Sequence, residues 1–221
     1  MVPIENSTEG VVAHTLDCLV ESDLQICAEV YLDIHHHLLS KSGNAKDVKR
    51  IMSHPQALAQ CRGWLTAHFP KITVEEVAST AHGAIAAAND GSIAAISSAL
   101  AKEVYSLAAV ASNIEDRSNN ITRFLVIGKL LTQPCGDDKT SLVFSAKDKP
   151  GVLFQMLQPF AKSRINLSKI ESRPIKNKPW EYLFFLDLMG HRQQATVKKA
   201  IAELEKNCVF LKVMGSYASG R

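Results

Sequence analysis

The chain has 221 residues, 46% of them hydrophobic and 21% charged, with a formal net charge of +3, the balance of a globular protein of one large or two ordinary domains. Lys41, Lys46, Lys49, Arg50 and the pair Lys198-Lys199 are interleaved with acids and apolar residues rather than gathered on one face, so neither nucleic acid nor membrane is an expected partner. No apolar run approaches the roughly 20 residues that cross a bilayer, and Met1-Val2-Pro3-Ile4-Glu5-Asn6 has neither the basic start nor the apolar core of a signal peptide.

Residues 1 to 107 alternate short apolar runs with amphipathic stretches. Val2-Pro3-Ile4 leads into Glu5-Asn6-Ser7-Thr8 and a helix from about Gly10 to Leu19. Cys18, Cys27, Cys61, Cys135 and Cys208 are odd in number and lack CxxC spacing, which reads as free thiols in a reducing cytoplasm. The run His35-His36-His37 is expected on a strand, where neighbours face opposite ways. At most two rings can then converge, and no Cys or acid stands at ligand spacing, so structural or substrate-proximal roles are favoured over a metal.

Arg50-Ile51-Met52 leads into Ser53-His54-Pro55-Gln56 and a helix to about His68, with Pro55 in the first turn. Thr73-Val74-Glu75-Glu76-Val77 leads into Ser79-Thr80 and a helix to Asn89, and Ser92-Ile93-Ala94-Ala95-Ile96 into Ser97-Ser98 and another. Any one of these four junctions is explained by N-capping, at about 1 kcal/mol each. Several at one sheet edge offer more, because helix N-termini present amides and partial positive charge at the carboxyl ends of strands. A small acidic ligand is expected.

Ile121-Thr122-Arg123-Phe124-Leu125-Val126-Ile127 then sets a hydroxyl and a guanidinium between the polar turn Asp116 to Asn120 and an apolar strand. Gln133-Pro134-Cys135-Gly136-Asp137-Asp138 reads as a linker between residues 1–132 and 139–217. Beyond it the order is β-α-β-β-α-β: strand Thr140 to Ala146, helix Val152 to Ser163, strand Asn166 to Glu171, a loop around Asn177-Lys178-Pro179, strand Tyr182 to Met189, helix Gln194 to Lys206 and strand Val209 to Met214. This is the ferredoxin-like order.

Val2-Pro3-Ile4-Glu5-Asn6-Ser7, Ser53-His54-Pro55-Gln56 with Gln60, Asn120-Ile121-Thr122-Arg123-Phe124, and Gly151-Val152-Leu153 with Glu171-Ser172-Arg173-Pro174 resemble the ordered motifs of prephenate dehydratase, specifically the dehydratase and ACT parts of bacterial bifunctional chorismate mutase–prephenate dehydratases. The resemblance covers nearly the whole chain. It implies an α/β fold: the second lobe of a periplasmic-binding-protein-like (type II) dehydratase domain, then a ferredoxin-like βαββαβ ACT domain. The implied reaction turns prephenate into phenylpyruvate with loss of CO2 and the ring hydroxyl, a step of phenylalanine synthesis. Thr122 would lie against the departing hydroxyl as a hydrogen-bond donor, with Arg123 a carboxylate or structural partner. Asn6, Ser53 and Gln60 would line the cleft and orient substrate, while Glu5, with Ser7 and Phe124 beside it, would serve architecture. Gly151, Val152 and Leu153 with Glu171, Ser172, Arg173 and Pro174 would bind L-phenylalanine at an interface between ACT domains, implying a feedback-inhibited homodimer or larger assembly. No metal or organic cofactor is implied.

Two departures accompany the resemblance. An acidic residue that some members carry before the Ser-Thr pair is Ala78 here. The first lobe that precedes Pro3-Ile4-Glu5-Asn6 in the family is also missing, so the strand carrying Thr122 is expected to lose most of its home sheet and expose an edge. The expectation is that Met1 is a misread valine start with the lobe encoded upstream, a deliberate fragment being the other reading. A catalytically silent phenylalanine-binding module and an arogenate dehydratase are the alternative functions.

Overall fold

The structure is a computed structural model and describes residues 1–175 and 181–220; the expected loop around Asn177-Lys178-Pro179 lies outside the described residues. The chain forms two compact units, one of Met1–Leu32 with Thr122–Arg221 and one of Asp33–Ile121.

The second unit is built on a five-stranded sheet. Its strands are β4 (His37–Ser40), β5 (Arg50–Ser53), β6 (Thr73–Glu76), β7 (Ile93–Ser97) and β8 (Ala108–Ala111), in the order β6-β5-β7-β4-β8. β5 runs parallel to β6 and β7, whereas β4 is antiparallel to β7 and β8. Both faces of the inner strands are covered, so β4 and β7 read as apolar runs rather than alternating ones, while the edge strand β6 is exposed. Leu38, Ile51 and Ile96 face one core with Leu58 and Ile114, and Leu39, Met52 and Ala95 face the other with Ala84 and Ala87. Helix α4 (Thr80–Asn89) lies close on the second face because Gly83 has no side chain; a Cβ there would come within 2.7 Å of Met52 O.

The expected helix from Pro55 to His68 is two helices, α2 (Pro55–Gln60) and α3 (Arg62–His68), which meet at Cys61. The break has a distant cause: Asp116 accepts from Gly63 N at 2.8 Å and Trp64 N at 2.9 Å, satisfying the first amides of α3 as a cap.

In the first unit β1 (Val2–Asn6), β2 (Gly10–Val11), β3 (Gln25–Asp33) and β9 (Ile121–Gly128) form a four-stranded sheet in the order β2-β1-β9-β3. The strand carrying Thr122 is therefore an interior strand, contrary to the expected exposed edge; β1 and β3, both from this chain, flank it. The expected helix from Gly10 begins later, as α1 (Ala13–Glu21), because Gly10-Val11 pairs with β1.

The C-terminal segment has the expected β-α-β-β-α-β order. β10 (Asp138–Ser145), α6 (Val152–Lys162), β11 (Leu167–Pro174), β12 (Tyr182–Met189), α7 (Ala195–Glu205) and β13 (Phe210–Ala218) give an antiparallel sheet ordered β11-β12-β10-β13. β10 is buried along its whole length, since Leu142 and Phe144 face Met156, Phe160, Val197 and Leu204 of the helices while Val143 faces Ile4, Leu16 and Leu125. Gly215 lets β13 approach β3, where a Cβ would stand 2.3 Å from Ile26 O. Lys212 extends from β13 to the end of α1, which has no basic residue in its last turn, and its Nζ donates to the carbonyls of Leu19, Val20 and Ser22 at 3.0, 2.8 and 2.6 Å.

Candidate functional site

The antiparallel register of β1 and β9 sets Glu5 opposite Arg123 and Asn6 opposite Thr122. Successive strand residues face opposite ways, so the pairs serve different surroundings. Asn6 Oδ1 accepts from Thr8 N at 2.9 Å, Thr8 Oγ1 at 2.6 Å and Glu9 N at 3.0 Å. That turn fixes the amide orientation, and Asn6 Nδ2 donates to Thr122 Oγ1 at 2.7 Å. With its oxygen accepting from Asn6, the Thr122 hydroxyl has its own hydrogen left to give.

Arg123 is 4% exposed and turns the other way. It donates to Glu29 at 2.7 Å, to Glu5 at 2.9 Å, to Asp187 at 2.7 Å and to Tyr217 Oη at 3.0 Å. Lys139 donates to Glu29 at 2.6 Å, Lys169 to Glu5, and Ser141 to Asp187 at 2.5 Å. Three cations thus meet three carboxylates in a buried array. The Arg123 donors are thus taken up by the protein's own acids and the Tyr217 hydroxyl. Burial raises the Glu5 and Glu29 carboxyls, but hydrogen bonds from Lys169 and Arg123 to Glu5, and from Gly220 and Lys139 to Glu29, outweigh it and hold both below the ordinary value.

In the second unit the carboxyl ends of the parallel strands gather hydroxyls and rings. Ser53 ends β5, Ser97 ends β7 opposite His37, and Ser79 and Ser98 cap α4 and the short helix α5 (Ala99–Val104) by accepting from His82 N and Ala101 N. Ser53 is fully buried and is not the cap of α2; its hydroxyl donates to Ile96 O at 2.6 Å, and His54 caps instead. Of the four junctions expected at one edge, three belong to this sheet and the one after Val2-Pro3-Ile4 to the other, since β1 pairs with β2 and β9.

The histidine run is not a strand: residues 34–36 are loop and only His37 opens β4. Each ring has a different partner. His35 Nδ1 meets Glu115 at 2.7 Å, His36 Nε2 meets Gln60 Oε1 at 2.7 Å, and His37 Nδ1 accepts from Asn113 N at 3.3 Å. Asn120 Nδ2 also donates to Gln60 Oε1, at 3.1 Å. Sequence reasoning gave the histidines structural or substrate-proximal roles but did not name these partners, which lie 80, 24 and 76 residues away. A groove of about 570 Å³ on this unit is lined by Leu58, Leu65, Phe69 and Ile72 together with Arg62 and Glu76, and holds neither Ser53 nor Gln60.

The sequence profile of prephenate dehydratase matches residues 1–131, and that of the ACT domain residues 140–206. The chain belongs to the prephenate dehydratase family. It is 48% identical over 217 residues to the bifunctional chorismate mutase/prephenate dehydratase of Aquifex aeolicus, covering 98% of this chain and 60% of that one. To the prephenate dehydratase of Methanocaldococcus jannaschii it is 39% identical over 221 residues, covering 98% and 80%. Among solved structures, prephenate dehydratase from Arthrobacter aurescens in complex with L-Phe is similar with a TM-score of 0.88 at 36% identity, over 99% of this chain and 74% of that one. The chain thus spans about 60% of the length of the Aquifex relative.

In the ACT domain Gly151 caps α6 with φ 75°, a left-handed conformation that suits glycine, and Val152 and Leu153 pack partly buried on the helical core. Glu171, Ser172, Arg173 and Pro174 end β11, which lies at the edge of the sheet, and Arg173 pairs with Asp17 of α1 at 3.4 Å. Ser7 is exposed and Phe124 half-buried.

Proposed function

We propose that this chain catalyses the decarboxylative dehydration of prephenate to phenylpyruvate in L-phenylalanine synthesis, and that phenylalanine bound by its ACT domain inhibits the reaction. The observation that carries the proposal is the Asn6 to Thr122 hydrogen bond of 2.7 Å, found in a chain of this family. As the ring carboxylate leaves as CO2, the electron pair of the breaking C–C bond enters the ring, and the C–O bond breaks with its pair going to the departing oxygen. That oxygen leaves as hydroxide unless a proton meets it, and aromatisation supplies the driving force. A threonine alcohol is too weak an acid to surrender its proton outright, but a positioned O–H stabilises the growing negative charge, a contribution of roughly 10²–10³ in rate for one such donor.

Asn6 orients Thr122, Gln60 orients substrate, and Ser53, buried with its hydroxyl on Ile96 O, fixes the end of β5. Arg123 and Glu5 hold the strands that carry Thr122 and Asn6. We assign residues 1–132 to a dehydratase domain with a periplasmic-binding-protein-like (type II) lobe, 133–138 to a linker and 139–217 to the ACT domain. Gly151, Val152, Leu153 and Glu171 to Pro174 take phenylalanine, whose effect rests on different affinities for two states of a cytoplasmic homodimer.

The test is phenylpyruvate formation from prephenate by this chain, with and without phenylalanine, beside Thr122→Ala. Turnover that phenylalanine suppresses and Thr122→Ala abolishes is the expected result. Phenylalanine binding without turnover would make the chain a sensing module, and turnover of arogenate in place of prephenate would reassign the substrate.

A further inference from the structure

The strand pair that sets Asn6 against Thr122 owes its register to one extra residue. Val2 and Pro3 of β1 face Leu125 and Phe124 of β9, and the count then shifts, so that Glu5 stands opposite Arg123 and Asn6 opposite Thr122. Ile4 is the extra residue of this bulge, and it enters the core with Leu16 and Leu125. Without the shift Ile4 would face Arg123 and Glu5 would face Thr122, because a slip of one residue exchanges every pairing beyond it. The residue just past the bulge is gripped on both oxygens: Glu5 Oε1 accepts from Arg123 Nη1 at 2.9 Å, and Oε2 accepts from Lys169 Nζ. Burial raises the Glu5 carboxyl, but the hydrogen bonds from Lys169 and Arg123 outweigh it, so the acceptor stays ionised.

Lys169 belongs to β11 of the ACT domain and follows a second bulge. The register of β11 against β12 shifts between Leu167 and Lys169, which brings Lys169 opposite Asp187, the carboxylate that also meets Arg123. Its side chain is 11% exposed. Alternate strand residues share a face, so Glu171 and Arg173, assigned above to phenylalanine, lie on the face of Lys169, and Arg173 reaches Asp17 of α1 at 3.4 Å. One face of β11 thus carries both part of the proposed phenylalanine motif and the ammonium that grips Glu5.

We propose that Lys169 is a positioning residue that couples the ACT domain to the candidate catalytic pair: its grip on Glu5 holds β1 in register past the bulge, so that Asn6 meets Thr122, and phenylalanine on β11 acts by loosening that grip. This rests on the reading above, in which Thr122 is the donor and β11 takes phenylalanine. An effector shifts an equilibrium only through contacts that differ between the two states, and the Lys169 to Glu5 pair is the contact that differs. Lys169 touches no reacting atom and transfers no proton.

The test compares Lys169→Met, which keeps the stem without the ammonium, with Lys169→Arg, whose guanidinium still donates to Glu5. On the full chain it reads kcat and KM for prephenate, suppression of turnover by phenylalanine, phenylalanine binding by calorimetry, and the side-chain amide resonances of Asn6 in NMR spectra. Lys169→Met is expected to lower kcat roughly tenfold with KM little changed, the scale of one lost charge-assisted hydrogen bond, and to shift the Asn6 resonances. It should still bind phenylalanine, yet lose the roughly fivefold or greater effect that an allosteric ligand typically exerts. Lys169→Arg is expected to recover most of these properties. Wild-type behaviour of Lys169→Met, equal losses in the two variants, or a rise in KM alone would overturn the proposal. So would loss of phenylalanine binding together with inhibition, since Lys169 would then be a ligand contact. If Lys169→Met does not fold, the wild type decides: saturating phenylalanine should move the Asn6 resonances, and unmoved resonances refute the coupling. A wild type that neither turns over prephenate nor binds phenylalanine would sink the underlying reading, and the Asn6 resonances of the two variants would then decide the hold on register alone.

Discussion

Asn6 and Thr122 face each other across two antiparallel strands, and the amide of one donates to the hydroxyl of the other at 2.7 Å. The direction of that bond is set by the turn after β1, which occupies the Asn6 oxygen with three donors. Asn6→Asp removes the donor and sets a carboxylate against the hydroxyl, turning the Thr122 hydrogen toward it. A fall in kcat of about 10²–10³ is expected for Asn6→Asp and for Thr122→Val, with Thr122→Ser retaining most activity. Steady-state phenylpyruvate formation checks all three.

Removing Arg123 leaves Glu5, Glu29 and Asp187 short of one counter-charge inside the first unit. Breaking a buried pair from one side typically costs about 3–5 kcal/mol, because the remaining charge is stranded. Arg123→Met should therefore destabilise by about that amount, and Arg123→Lys by nearly as much, since an ammonium cannot span partners arranged for a planar fork. Urea unfolding midpoints measure both.

Acid should act on the same array. Glu5 and Glu29 have folded pKa values below the ordinary 4.5. The unfolded chain then takes up protons that the folded chain refuses, so their stabilisation is complete above the ordinary value and is lost as pH falls through the depressed ones. Unfolding free energy measured from about pH 7 to about pH 3 should fall with acid, and Glu29→Gln should flatten part of that fall while lowering the plateau.

The five thiols should separate by access. Burial, with Asp116 and Glu115 nearby, pushes the Cys61 thiol up to about 12. Cys18 and Cys135 are exposed. A thiolate-selective reagent at mildly alkaline pH should modify Cys18 first and reach Cys61 only with unfolding, since the thiolate is the reactive species. Peptide mapping after a timed pulse distinguishes them. Cys135 should lag Cys18, because its hydrogen bond to Asp138 raises the thiol.

Much of this fold is legible in local pattern. The βαββαβ order follows from apolar alternation broken by Pro150-Gly151 and by polar turns, and the Ser79 and Ser98 caps follow from hydroxyls before apolar helices. What escapes is what depends on distant partners. The break between α2 and α3 has no local mark, because Asp116 causes it from more than 50 residues away. β2 escapes because two residues carry no period. Thr122 and Asn6 could be named from motifs and strand alternation turns Arg123 to the other face, but not what it meets there; its partners Glu29, Asp187 and Tyr217 lie 94, 64 and 94 residues off. The His36 grip on Gln60 escapes for the same reason.

The three carbonyls at the end of α1 find their donor, Lys212, between 190 and 193 residues further along the chain. On a ribosome that helix terminus would emerge long before its cap exists, and its carbonyls would depend on water until Lys212 had followed it out. Closing so long a loop is slow compared with forming the helix itself. The end of α1 would thus be made well before it is locked, and a nascent chain paused before Lys212 would offer that loose end to chaperones or proteases.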